Sequence, residues 1–461
     1  MSSQVERSQR WYEGITPHQW TVLAIASLGW VFDTFEGQVY VSSMNEAMPD
    51  LLPGIDALDP DERSGRLAFF NNIAFGAFLL GGAAGGIAFG ILGDRIGRVK
   101  TLMLTIAAYS AFTFLSAFSS EWWHLVAFRF LVAMGVGGEW AVAAALVAEA
   151  FPKRARARSL SIFHGSSVLG TWLAIAVGAF IVAGREFTVP LLGGATVASW
   201  RVGFAVGAVP ALLILVIRWK LRGETAVWSR SRSRSVKSVA LPLELFRAGL
   251  RRRTLVGIAL ASVGLATFWG VHIYGKDLLR VEMEARLVAE GGESQSEDPQ
   301  SDRFAALKRW EMLGMLLTTT GGGAGLLAFG GLAEALGRRR AFALYHVVGL
   351  AAAVGVFQWV SSPTALMIVL PVFGFFTLGM HAGYAVYFPE LFPTRVRSTG
   401  AGFCFNVARI VAAPVLLASG WLQRDGGMSL RGSASLLSVL FLLGAAVIAA
   451  GPETKGSDLP E

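Results

Sequence analysis

Six residues stand out because their polarity is out of place. Asp33 and Glu36 sit three apart in an otherwise apolar run at about 19–40. Arg129 and Glu139 lie in a second apolar run, at about 122–149, and Asn406 and Arg409 lie three apart in a third, at about 398–420. A charge inside such a run is costly in hydrocarbon and is expected to face a cavity or a partner. Residues three apart on a helix share a face, so Asp33 and Glu36 point the same way. Two adjacent carboxylates repel, and holding one proton between them relieves the repulsion, while a nearby guanidinium opposes it. Such a pair suits reversible proton uptake. Arg409 has no acidic neighbour in its own run. An uncompensated guanidinium at that depth suits a carboxylate ligand, held through parallel N–H donors, with Asn406 beside it.

Depth can be compared at about 1.5 Å per helical residue. Asp33 and Glu36 then lie roughly 20–25 Å from the edge where their run begins, and Arg129 about 10 Å below the opposite edge, so the three fall at one level. An anion bound between Arg129 and Arg409 is the expected arrangement. Glu139 lies further along its run and is a candidate proton relay. Trp269, His272 and Tyr384 fall in two later runs and are candidates to line a pocket for the solute's apolar body. His164 and His346 are expected only at the edge of the apolar layer.

The elements that position these groups follow from the bulk pattern. The chain has 461 residues, 54% hydrophobic and 16% charged, with mean hydropathy +0.53; soluble proteins carry roughly 25% charged residues. Apolar runs long enough to span a bilayer, about 20 residues, recur throughout. Twelve are placed, at about 19–40, 67–92, 100–119, 122–149, 159–183, 200–217, 254–275, 311–333, 341–360, 364–390, 398–420 and 433–450. The expectation is an all-α membrane protein of twelve transmembrane helices in two pseudo-symmetric six-helix bundles. The bundles are residues 1–217 and 254–461, joined by a basic linker at 218–253. The net charge of +8 sits in short loops between runs, which argues for membrane topology and against nucleic acid. By the same rule the basic loops are cytoplasmic, both termini lie in the cytoplasm, and the cell (inner) membrane is the expected location. Cys404, the one cysteine, lies inside an apolar run, so no intrachain disulfide forms. The basic Ser229–Ser238 stretch reads as a solvated tether, and Gly291–Asp302 has the composition of a disordered loop.

The two halves repeat. Gly90-Ile91-Leu92-Gly93-Asp94-Arg95-Ile96-Gly97-Arg98-Val99-Lys100 returns as Gly330-Gly331-Leu332-Ala333-Glu334-Ala335-Leu336-Gly337-Arg338-Arg339-Arg340, with Asp94 and Glu334 lying 240 positions apart. Glu149-Ala150-Phe151-Pro152-Lys153-Arg154-Ala155-Arg156 returns at nearly the same offset as Glu390-Leu391-Phe392-Pro393-Thr394-Arg395-Val396-Arg397. Gly90, Gly93 and Gly97 allow a tight turn and close helix approach. The Asp94 carboxylate can accept from free N–H groups at a helix start. Glycine pairs at 81–82 and 85–86, and the run 321–325, suit helices that slide against each other.

The first of these loops resembles the signature of the major facilitator superfamily, G-x-L-x-D-R-x-G-R-x-K, and its copy sits where that family's second half carries one. The run from Arg129 to Trp140 and the Phe-Pro-x-Arg-x-Arg loops are similar to those of metabolite–proton symporters, including carriers of aromatic acids and sialic acid. The resemblance implies a secondary transporter that moves a small organic anion with a proton by alternating access, acting as a monomer without a cofactor. It also implies that Asp94 touches the opposite bundle and shuts the cytoplasmic side. Arg98 is then expected to pair with Glu149, and Glu334, Arg338, Glu390 and Arg395 to form a looser second copy. Proton-antiport export of drugs or metabolites is the alternative. A sugar porter is a further one, but Gly223-Glu224-Thr225-Ala226-Val227-Trp228 stands where sugar porters have Pro-Glu-Ser-Pro-Arg-Trp. No phosphate-binding Walker loop is present, and no nucleophile–base set or metal-spaced His/Glu pair points to an enzyme.

Overall fold

The apolar runs fold as helices, and many continue past the width of a bilayer. A computed structural model describes residues 10–182, 186–189, 195–221, 223–234, 242–289, 302–424 and 427–461. The Gly291–Asp302 loop lies almost wholly outside the described residues, as does the linker from residue 235 to 241.

The chain runs through α1 (Pro17–Asp50), α2 (Pro60–Ile96), α3 (Arg98–Ser116) and α4 (Trp122–Ala150), then α5 (Lys153–Val182) and α6 (Ser199–Lys220). A short helix α7 (Ala226–Arg234) follows on the loop side. The second half holds α8 (Arg251–Ala289), α9 (Asp302–Leu336), α10 (Arg338–Trp359), α11 (Pro363–Leu391), α12 (Arg397–Arg424) and α13 (Leu430–Ala449). Ten of these are long and apolar enough to cross a membrane. Two more long helices, α1 and α12, carry the charges Asp33, Glu36 and Arg409 in their middles. A two-stranded hairpin, Glu186–Val189 with Ala195–Ala198, joins α5 to α6 and was not expected.

Local sequence sets the helix starts. Thr16 accepts from the Gln19 N–H, and Gln19 returns the bond to the Thr16 N–H, with Pro17 at the first position. Asp59-Pro60 and Ser362-Pro363 begin α2 and α11 by the same logic. Between α2 and α3 only Gly97 intervenes, at φ 109°, and between α9 and α10 only Gly337, at φ 92°. A side chain is disfavoured at either φ, so the glycine is what allows two long helices to meet in a one-residue corner.

Glycines also set which helices touch. On α2, Gly81 and Gly85 lie against the α4 backbone at Phe130 and Met134, while Gly82, Gly86 and Gly90 lie against α12 at Arg409, Asn406 and Ser398. On α9, Gly321 and Gly325 lie against Pro371 and Phe375 of α11, and Gly330 against Ala157 and Arg158 of α5. The close seams between the chain's halves are therefore α2 with α12 and α5 with α9. The larger apolar core runs through both halves, and a smaller one, around Phe35, Tyr40, Trp200 and Phe204, joins α1, α2, α4, α5 and α6.

Candidate functional site: a loop-side gate and a buried charge cluster

At the corner between α2 and α3, the Asp94 carboxylate accepts from the Ser398 N–H (3.2 Å), the Thr399 N–H (2.8 Å) and the Thr399 hydroxyl (2.7 Å). It thus caps the start of α12, from the other half of the chain. Arg98 holds Asp94 at 2.9 Å and Glu149 at 2.8 Å, and its guanidinium also donates to the Thr394 carbonyl at 2.8 Å. Glu149 is shared with Arg397 at 2.7 Å. Its other oxygen accepts from the Thr225 hydroxyl at 2.6 Å.

The second copy is built alike but sits more loosely. Arg338 holds Glu390 at 2.9 Å and Glu334 at 3.0 Å. Arg156, the counterpart of Arg397, stands 4.0 Å from Glu390, and the Thr454 hydroxyl donates to Glu390 at 2.5 Å. Glu224 accepts from the N–H groups of Val99 and Lys100, the second and third residues of α3, and Glu453 accepts from those of Arg338 and Arg339, the first two of α10. Burial works against the Glu453 charge, yet four backbone N–H donors hold its carboxyl below the usual range. The chain's last residues lie over this layer. The Pro460 carbonyl accepts from the Thr394 N–H (3.1 Å) and from Arg397 (2.8 Å), and Asp458 pairs with Lys153 at 2.8 Å. Arg95 is exposed, and Arg395 pairs with Glu244 of the segment before α8.

Deeper in, Asp33, Glu36, Arg129 and Glu139 are each almost wholly buried. Both carboxylate oxygens of Asp33, Glu36 and Glu139 lack a hydrogen-bond partner among the described residues. Buried polar groups are otherwise satisfied as a rule, so three such carboxylates together are unusual. Asp33 lies within electrostatic reach of Glu139, Glu36 and, across the halves, Arg409. Glu139 packs on Gly29 of α1, and Glu36 approaches Gly207 of α6 beside Thr113. The half-buried Arg409 lies over the Phe405 ring at 5.3 Å.

Arg129 behaves differently from the sequence-based expectation. Its guanidinium donates to the Glu36 backbone carbonyl at 3.4 Å and sits over the rings of Phe78 (4.6 Å) and Tyr40 (4.9 Å). It makes no ion pair with Asp33 or Glu36 among the described residues, and it occupies a different setting from Arg409. An anion held between the two arginines does not fit, because α1 and the two rings already occupy the Arg129 head group.

A family model described as sugar (and other) transporter matches residues 24–241. The probable 4-methylmuconolactone transporter of Cupriavidus pinatubonensis is 27% identical over 97% of this chain and 93% of its own. The niacin transporter NiaP of Acinetobacter baylyi is 27% identical over 95% of each chain. Among solved structures, the proton:xylose symporter XylE of E. coli, bound to 6-bromo-6-deoxy-D-glucose, matches with a TM-score of 0.69 at 16% identity, over 96% of this chain and 98% of its own. The chain has the major facilitator fold of these solved transporters.

The major facilitator fold brings some expected site residues together and leaves others apart. Asp33, Glu36, Glu139 and Arg409 converge. Asn406 lies in the seam with α2 and α4, its amide donating to the Gly137 and Gly402 carbonyls. His272 is partnered by the Thr377 hydroxyl at 2.7 Å and Tyr384 donates to the Leu260 carbonyl at 3.3 Å, both inside the second half. Trp269 packs edge-on against Phe268. His164 is buried, accepts from the Trp140 indole at 3.0 Å and stacks on Trp30. His346 is likewise buried, against the Phe342 carbonyl. Sequence reasoning passed over Arg156, Arg397, Glu224 and Glu453 as members of the loop-side cluster. The signals were present in the second arginine of each Phe-Pro-x-Arg-x-Arg loop and in the Glu-Thr pairs at 224–225 and 453–454.

Proposed function

We propose that this chain is a transporter that carries a small organic anion, a carboxylate, together with a proton by alternating access. The reading takes the two halves as pseudo-symmetric six-helix bundles, 1–217 and 254–461, that rock about a central site, with both termini and the gate layer in the cytoplasm. The observation that carries it is the burial of Asp33, Glu36 and Glu139 without hydrogen-bond partners among the described residues, with Asp33 in electrostatic reach of Arg409 from the other half. While Asp33 is ionised it competes with a carboxylate ligand for Arg409. Protonation of Asp33 frees the guanidinium, so proton and anion load together. The names of two relatives, a methylmuconolactone and a niacin transporter, support an organic-acid substrate class.

In this reading Asp33 and Glu36 take the proton, Arg409 takes the carboxylate, and Arg129 positions Glu36 through its backbone carbonyl. Asp94, Arg98, Glu149 and Arg397 keep the cytoplasmic side shut until both ligands are bound. The test is uptake into proteoliposomes under an imposed pH gradient, screened across carboxylates, sugars and amines. Accumulation of a carboxylate that collapses with a protonophore supports the reading. Accumulation only of sugars or amines, or uptake indifferent to the gradient, overturns it.

A further inference from the structure

Tyr109, in the middle of α3, is fully buried, and its hydroxyl lies next to the Glu139 carboxyl with no backbone partner among the described residues. Its position is set by glycine. Gly135 of α4 has no room for a side chain because the Tyr109 backbone and Cβ lie about 3 Å from where a Cβ would be. Glu139 follows one turn along α4 on the same face as Gly135. Helical side chains lean toward their own N-terminus. Tyr109 therefore leans toward the gate side, the direction in which Glu139 lies on the antiparallel α4. The charged groups that face the hydroxyl are Glu139 from α4 and Asp33 and Glu36 from α1. Glu139 in turn packs on Gly29, one turn before Asp33. One turn after Tyr109, Thr113 lies beside Glu36, and its hydroxyl likewise has no backbone partner among the described residues. Three helices thus gather Glu36 and Thr113, Asp33, and Tyr109 and Glu139 into one buried polar cluster.

We infer that the Tyr109 hydroxyl is the link through which a proton passes between Asp33 and Glu139. The inference rests on the proton-symport reading of this site. In the step, the Tyr109 oxygen accepts the proton of the neutral Asp33 carboxyl while its own proton passes to the Glu139 carboxylate. Asp33 becomes ionised, Glu139 becomes neutral, and Tyr109 ends as it began. The proton then leaves from Glu139 toward the gate side without passing Arg409, so anion and proton have separate exits.

The experiment needs no substrate. Full-length protein in lipid is given a pH jump, and the infrared carbonyl band of neutral carboxyls is followed, the Asp33 part being the band lost in Asp33→Asn. Tyr109→Phe keeps the ring that packs against Gly135 and removes only the oxygen, and its folding is checked by thermal melting. The expected result, after a jump to higher pH, is an Asp33 band that decays about 10²-fold more slowly in Tyr109→Phe with an unchanged midpoint. Glu139→Gln should slow it as much, and the double variant no further. An unchanged rate in Tyr109→Phe overturns the relay while leaving symport standing, as does a shifted midpoint at unchanged rate or an additive double variant. Absence of any Asp33 band at any pH overturns the symport reading and the relay with it.

Discussion

Arg397 lies 2.7 Å from Glu149, and the two belong to opposite halves of the chain. Their counterparts, Arg156 and Glu390, stand 4.0 Å apart. The same device is thus built twice and drawn tight once. The tight copy also has Asp94 capping α12, whereas Glu334 in the other turns back onto Arg338. The hold between halves is therefore concentrated on the first copy, and substitutions there should do more than their equivalents in the second.

Asp94→Asn removes a charged acceptor shared by two N–H groups and a hydroxyl. Hydrogen bonds to a charged group contribute about 1.5–3 kcal/mol each, and 1.4 kcal/mol is tenfold in an equilibrium. Loss of even one such bond should shift the balance toward the gate-open state by about 10- to 100-fold. Arg397→Ala should do the same, and Arg156→Ala clearly less. Thiol labelling of cysteines introduced behind the gate reads the shift. Equal labelling in wild type and both first-copy variants would rule it out.

Gly86→Ala places a methyl group where the Asn406 amide sits. Asn406 is in α12 and Gly86 in α2, so the clash falls on a seam that, in the proposed alternating-access cycle, parts when the gate opens. This variant should also favour the open gate, though it removes no charge. Restored closure in the double variant Gly86→Ala with Asn406→Ala would show that the effect is steric.

Asp33→Asn fixes one carboxyl in a neutral, amide form. Gradient-driven accumulation should be lost, while exchange between equal pools of carboxylate survives, because Arg409 stays free to bind. Unchanged accumulation would remove Asp33 from the coupling step.

Arg409→Gln deletes the charge that faces Asp33. The expected outcome is a rise in KM for the carboxylate of about 10- to 100-fold, the equivalent of one charge-assisted contact. Arg409→Lys should recover only part, since an ammonium cannot make the paired contact. A KM that does not move would place the anion elsewhere.

Glu453 is ionised below the usual carboxylate range in the folded protein, so the stability it lends is present above about pH 4.5 and fades as pH falls through its lowered folded value. Glu453→Gln should melt earlier than wild type at neutral pH, and the gap should close on acidification. A gap that is constant from pH 7 to pH 3 would show that the carboxylate charge is not what anchors the start of α10.

Much of the fold was legible because the bilayer leaves the backbone few choices. Runs such as 122–149 and 364–390 became α4 and α11 nearly to the residue. The loop-side ion-pair cluster was legible for a different reason. Two loops repeating at one offset fix Asp94, Arg98 and Glu149 as a unit, and a lone glycine at positive φ explains why Gly97 and Gly337 recur. The setting of Arg129 was not legible, since its partners are a backbone carbonyl and two rings, and neither leaves a mark as a charge pattern. Nor were the pairings of His272 with Thr377 and His164 with Trp140, which depend on which helix faces each apolar stripe rotates inward. The hairpin before α6 was missed because two four-residue strands carry almost no periodic signal.

The last residues of the chain are seated on both halves at once, with Pro460 on Thr394 and Arg397 and Asp458 on Lys153. Those seats move apart whenever Arg397 and Glu149 separate, so the tail can keep only one of them. A dye carried at position 458 would therefore flicker in step with turnover, giving a built-in meter of the cycle that needs no knowledge of the cargo.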